Sequence, residues 1–272
     1  MKKTVLITGT SSGIGKSAAK YFAEQGWNVA ATMRTPEKDN EVKNYPNTKV
    51  YRLDVTNADS INEAILAISK DFGQIDAFVN NAGFGVDGVF EAMSDEVISK
   101  QFDTNVFGLM RVTRAAISYF RTNKIKGHII QVASMGGRLA FPLYSIYHGT
   151  KWAVEGFTEA LQYEVEPFGI KLKLIEPGAI KTEFYGTSRH LVKPTNTNEY
   201  DAFVDKCEKL SMESGEKGED PSLVAAAIFK ATNDNSSKMR YPVGKPAPML
   251  LRLRKLLSDK LWFKIVKSSY KI

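Results

Sequence analysis

The chain reads as an α/β protein built on a doubly wound parallel sheet of about seven strands, with a helical lid and a helical C-terminal tail. Three observations predict that class. Short β-branched runs alternate with amphipathic segments of helical period, and strand then helix repeats three times within the first third of the chain. The first run closes on a glycine-rich turn that opens a helix. A length of 272 residues, 43% hydrophobic and 25% charged, suits one large domain with a full core. We place that domain at residues 1–244, with the lid at about 183–221, and treat 245–272 as a basic amphipathic extension.

Thr4 to Thr8 predicts a buried parallel strand. Gly9-Thr10-Ser11-Ser12-Gly13-Ile14-Gly15 follows, and its glycines permit a tight turn that brings backbone N–H groups up to a pyrophosphate at a helix N-terminus. The spacing Gly-x-x-x-Gly-x-Gly matches the commoner Gly-x-Gly-x-x-Gly fingerprint only in part. A helix from about Gly13 to Gln25 and a strand from Asn28 to Thr32 come next. That strand runs into Met33-Arg34-Thr35, where a carboxylate would select NAD; Arg34 favours a 2′-phosphate instead. Lys49 to Leu53 predicts the third strand, with Asp54 and Val55 at its end and a helix near Asn57 to Phe72. Ala77 to Asn80 predicts the fourth, ending in Asn81-Ala82-Gly83. A long helical pattern covers about 95–123, yet Asn105 and Gly108 lie inside it, where neither favours a helix. His128 to Val132 is the fifth strand, with Ser134 just past its end, and a helix from about Tyr147 to Phe168 follows. Ile170 to Ile175 is the sixth, leading into a loop with Pro177, Gly178, Ile180 and Thr182. In such a sheet, ligands gather at these strand ends.

Tyr147 and Lys151 stand four residues apart at the start of a helix, so they share a face. A tyrosine with its ordinary pKa near 10 is a weak acid–base catalyst at neutral pH. One cation about 4 Å away, at an effective dielectric near 20, contributes about the 4 kcal/mol needed to bring it near 7. Lys151 is the expected cation.

Charge and composition bound the partners. The formal charge is +7, and residues 245–272 hold eight Lys/Arg against Asp259, so the remaining 29 basic and 29 acidic residues balance. No basic face is forced on the main domain, and a nucleic-acid partner is not expected. Cys207 is the sole cysteine, and His128, His148 and His190 are scattered, so we expect neither a disulfide nor a metal site. Without a run of about 18 apolar residues or an apolar leader, the expected location is cytoplasmic. In the tail, Leu250, Leu253, Leu257 and Leu261 fall on one helical stripe, extended by Trp262, Phe263, Ile265 and Val266. Three placements for it stay open: packed on its own domain, covering the substrate pocket, or making peripheral contact with an anionic membrane through 249–271.

Taken together, Thr8 to Gly15, Asn80 to Gly83 and Tyr147 to Lys151 occur in the order of three motifs of the short-chain dehydrogenase/reductase family. The chain resembles that family over about residues 3–243, in its form with a single Rossmann-fold domain. The resemblance implies a tetrad of Asn105, Ser134, Tyr147 and Lys151, with NADP(H) as cofactor and hydride exchange between a carbonyl and an alcohol. It implies that Tyr147 handles the substrate proton, that Ser134 holds the same oxygen, that Lys151 lowers the Tyr147 pKa and binds the nicotinamide ribose, and that Asn105 holds a water next to Lys151. Homodimers or homotetramers pairing through the helices at about 95–123 and 145–168 are implied as well. The run from Ala30 to Arg34 and the extended tail are similar to the retinol and hydroxysteroid dehydrogenase branch. Phe84, Val86, Leu139, Phe141, Leu143 and Tyr144 would line an apolar pocket, and Phe184, Tyr185, Tyr200 and Phe203 would furnish the lid. The alternatives are a regulator that senses NADP(H) without turnover, and an epimerase or dehydratase of a related branch.

Overall fold

Seven strands lie side by side in one all-parallel sheet, and the turn-and-helix chemistry of the sequence accounts for their order. The computed structural model describes residues 2–185 and 189–272. In chain order the elements are β1 (Thr4–Thr8), α1 (Gly13–Glu24), β2 (Asn28–Met33), β3 (Thr48–Arg52), α2 (Ala58–Phe72), β4 (Ala77–Asn80), β5 (Val86–Gly88), α3 (Asp95–Phe102), α4 (Leu109–Thr122) and β6 (His128–Val132). They continue with α5 (Ser145–Val165), β7 (Lys171–Pro177), β8 (His190–Val192), α6 (Asp201–Glu216), α7 (Pro221–Thr232), β9 (Arg240–Val243), α8 (Ala247–Leu256) and α9 (Asp259–Tyr270).

The sheet order is β3-β2-β1-β4-β6-β7-β9. The chain works outward from β1 in one direction and then from β4 in the other, so the switch point lies between β1 and β4, where a crevice opens at the strand C-termini. Alternation along β1 divides the core. Val5 and Ile7 face α1 and α7 with Phe22, Val224 and Ile228, while Leu6 faces the α2, α4 and α5 layer with Ile68, Phe120 and Leu161. Phe22, Phe78 and Phe120 are fully buried, each contributing about 1.5 to 3 kcal/mol by its burial.

The structure departs from expectation in four places. The helix expected at 95–123 is interrupted at Asp103–Gly108 by a π-helical turn that carries Asn105. Such turns lodge an extra residue and occur often at functional sites, which accounts for two poor helix formers in mid-pattern. A small second sheet pairs β5 with β8, clasped by Arg189, whose guanidinium donates to the buried Asp87 carboxylate at 2.6 and 3.0 Å. Part of the lid region is ordered by that pairing and by α6, where Tyr200 and Phe203 pack with Val204 and Cys207 rather than toward the crevice. The tail is two helices, because Leu257 is extended and Ser258 caps α9 by accepting from the Leu261 N–H. The single stripe is therefore split: Ala247, Leu251 and Trp262 are buried against Leu139, whereas Leu261 is exposed. Pro246 and Pro248 open α8 instead of freeing it, so the tail packs on its own domain.

Candidate active site

A cleft of about 750 Å³ opens at the C-terminal ends of β1, β2, β4 and β6. At one end is the turn after β1. Gly9 has φ +71° and Gly13 φ +55°, the left-handed region, and a Cβ on Gly9 would stand 2.8 Å from the Ala82 backbone. The first turn of α1 carries no acidic residue and no capping side chain, so its N–H groups are available to an anion. Gly15 sits behind, where a Cβ would lie 2.1 Å from the Gly9 oxygen. Asn81 serves as a strut. Its Nδ2 donates to the Thr8 and Gly9 carbonyls at 2.9 and 3.0 Å, tying β4 to the turn.

Gly9, Ser11, Ser12, Gly13, Ile14, Arg34, Asp54, Val55, Asn81, Ala82 and Gly83 line this cleft, as do Pro177, Gly178, Ile180 and Thr182 on the opposite wall. Gly15 and Asn105 do not; both work from behind its surface. Arg34 is exposed at the end of β2, near enough to Asp54 to help hold that carboxyl below its usual range, together with donors from Thr56 at 2.9 and 2.8 Å. These residues fit a dinucleotide: a glycine cradle with free N–H groups for the pyrophosphate, and a cation where the adenosine ribose would end.

At the other end, Ser134, Tyr147 and Lys151 meet. The Tyr147 hydroxyl hydrogen-bonds Ser134, whose Oγ also accepts from the Gly136 N–H at 3.0 Å. Tyr147 keeps part of its surface open to the cleft, yet the surrounding protein pushes its phenol up to about 12, burial outweighing the lowering by Ser134. Lys151 is not among the causes, which corrects the expected lowering. The buried Lys151 Nζ donates to the Val132 carbonyl at 2.9 Å and lies 5.8 Å from the Tyr147 ring centre. Burial takes its own pKa down to about 8, with Glu155 opposing that shift.

Asn105 is buried and committed to the backbone of Phe84: its Oδ1 accepts from the N–H at 3.1 Å, and its Nδ2 donates to the carbonyl at 2.8 Å. Its Nδ2 also donates to the Thr150 hydroxyl at 3.3 Å. His148 braces the 136–141 loop, Nδ1 on the Gly136 carbonyl at 2.9 Å and Nε2 accepting from Phe141 N–H at 3.1 Å, and burial lowers it to about 4. It is held neutral.

The expected apolar pocket divides. Phe84, Phe141 and Tyr144 line the cleft, but Val86, Leu139 and Leu143 are buried under β8, the tail helices and α6 respectively. Phe184 and Tyr185 join the lining, with the Phe184 ring 5.1 Å from that of Tyr147. Met135, Lys100, Asp103 and Thr104 also face the cleft, without a sequence signal that could have found them.

The model of the short chain dehydrogenase family matches residues 3–192. A 3-ketodihydrosphingosine reductase of Bacteroides thetaiotaomicron is 36% identical over 242 residues, covering 88% of this chain and 87% of the relative. A solved short-chain dehydrogenase from Streptomyces avermitilis superposes with TM-score 0.83 at 31% identity, covering 98% of each chain. ElxO, solved with NADP bound, superposes with TM-score 0.72 at 30% identity, covering 89% of this chain and 98% of that one.

Proposed function

The chain belongs to the short-chain dehydrogenase family, and we propose that within it the protein is an NADP(H)-dependent oxidoreductase interconverting a carbonyl and an alcohol on a lipophilic small molecule. Oxidoreductase chemistry on a small molecule with a nicotinamide cofactor follows from that membership. The observation that carries the finer reading is the hydrogen-bonded Ser134–Tyr147 pair, with buried Lys151 one turn on, at the aromatic end of the cleft.

Gly9 and Ser11 to Ile14 would hold the pyrophosphate, Asp54 and Val55 the adenosine side, and Asn81 to Gly83 with Pro177 to Thr182 the nicotinamide half. Arg34 would take the 2′-phosphate, and ElxO, a relative of similar fold, binds NADP. When bound, the nicotinamide supplies or accepts the hydride. Tyr147 handles the proton at its hydroxyl. Held protonated through the neutral range by burial, it is ready to give that proton to a carbonyl oxygen gaining negative charge, which favours reduction. Ser134 holds the same oxygen. Lys151, positively charged below about 8, would bind the nicotinamide ribose hydroxyls. The aromatic wall of Phe84, Phe141, Tyr144, Phe184 and Tyr185 suits an elongated or ring-bearing apolar substrate, in keeping with a relative that acts on 3-ketodihydrosphingosine. Exposed Phe107, Trp152 and Tyr163 lie within the expected pairing helices and support assembly of two or four copies.

The test is NADPH depletion over long-chain 3-keto bases, ketosteroids, retinal, quinones and 3-keto acyl thioesters, run beside Tyr147→Phe. Turnover in the unmodified chain and a loss of roughly 10²- to 10⁴-fold in Tyr147→Phe are expected. Cofactor binding without turnover would favour the sensing regulator. Product without net NADPH use would favour an epimerase or dehydratase, and near-normal kcat in Tyr147→Phe would refute the proton role.

A further inference from the structure

The packed tail leaves an outer surface that the reaction does not use. On α9, Lys260, Lys264 and Lys267 recur at i, i+4 and i+7, all exposed, on the side opposite buried Trp262. Phe263, 58% exposed, flanks that ridge. On α8, Leu256 is 83% exposed, one heptad after the exposed Met249, and points away from buried Leu251. Both helices bury their inner faces in one cluster with Leu139, so their outer faces turn away from the same patch of the domain.

The charge on this surface is uncompensated. Of the eight basic residues after Gly244, Arg254 is the one in an ion pair among the described residues, with Asp259. The twelve other ion pairs of the described residues all lie before residue 245. Unpaired cations alone mark a solvated face. Cations interleaved with large exposed apolar side chains match the boundary of an anionic bilayer, where lysines meet headgroups and side chains such as Phe263 and Leu256 enter the acyl edge. A nucleic acid would leave that apolar surface unsatisfied.

We infer that the outer face of α8 and α9 is a dock for an anionic lipid membrane. The inner face of the same helices abuts the substrate end of the cleft: Phe141, which lines the cleft, lies 6.5 Å from the ring of Trp262 and 6.4 Å from that of Tyr270. Docking itself does not depend on the proposed reaction.

The experiment is co-flotation of the full chain with phosphatidylglycerol/phosphatidylcholine vesicles and with pure phosphatidylcholine vesicles, at low and physiological salt, without cofactor or substrate. Binding to the anionic vesicles that weakens with salt is expected. Lys260→Gln, Lys264→Gln and Lys267→Gln should each weaken it about fivefold, and the triple variant roughly 100-fold. Leu256→Ser with Phe263→Ser should weaken it at both salts alike. No flotation with anionic vesicles, or equal binding to pure phosphatidylcholine, would overturn the inference. So would duplex DNA displacing the vesicles from the lysine ridge, or sedimentation showing a dimer that Leu256→Ser with Phe263→Ser dissolves, since a second copy would then cover the face.

Discussion

Replacing Gly15 by alanine tests the phosphate cradle where the geometry leaves least room. Its Cβ would stand 2.1 Å from the Gly9 oxygen and 2.4 Å from Asn81 Nδ2, the two atoms that bond each other at 3.0 Å. Restoring contact distance requires α1 to retreat from the β1 turn by about 1 Å. That overpacking costs about 1 to 3 kcal/mol. Losing the two Asn81 bonds to Thr8 and Gly9 adds about 1 kcal/mol each. The sum, about 3 to 5 kcal/mol, lowers Tm by roughly 6 to 20 °C in a domain of this size, and NADPH affinity falls with it because the cradle widens. Gly156→Ala is the control: it lies inside α5 with nothing within 4 Å of the added carbon. There alanine should stabilise by about 1 kcal/mol. Thermal unfolding by circular dichroism and NADPH fluorescence titration read both variants. Gly15→Ala melting within about 1 °C of the parent, with unchanged NADPH affinity, would refute the close-approach argument.

Arg34→Asp should erase or reverse a preference for NADPH over NADH of about 10- to 150-fold, the value of one charge-assisted phosphate contact; equal use of both cofactors by the unmodified chain would sink the assignment. Glu155 is buried beside Glu176, and burial followed by that neighbour raises its pKa from 4.5 to about 7 against the pull of Arg240. A raised acid favours folding while protonated, so its contribution is whole below about 4.5 and is lost as pH climbs to about 7. Glu155→Gln should therefore gain about 3 kcal/mol on the parent between pH 4.5 and pH 8. Parallel denaturant titrations at the two pH values, giving a constant difference, would contradict this.

What the sequence disclosed and what it hid divide by how local the cause is. The turn glycines, the strand ends and the register of Tyr147 with Lys151 are set by backbone demands over a few residues, so spacing alone finds them. Asn105 announced itself as a poor helix former, and the π turn supplies the reason. The fates of Leu139 and Leu143 were hidden, since each is buried by segments far along the chain, Leu139 by Ala247, Leu251 and Trp262, and Leu143 by Val204 and Cys207. The Asp87–Arg189 clasp spans 102 residues and has no local signature. The Tyr147 pKa is the sharpest case. Helical spacing put the ammonium on the phenol's face, but it could not show that Lys151 is buried and spends its hydrogen bond on Val132, or that Tyr147 is largely enclosed by protein. Depth then decides the sign: burial penalises the phenolate and the ammonium alike, and it outweighs the opposing pulls of Ser134 on the one and Glu155 on the other.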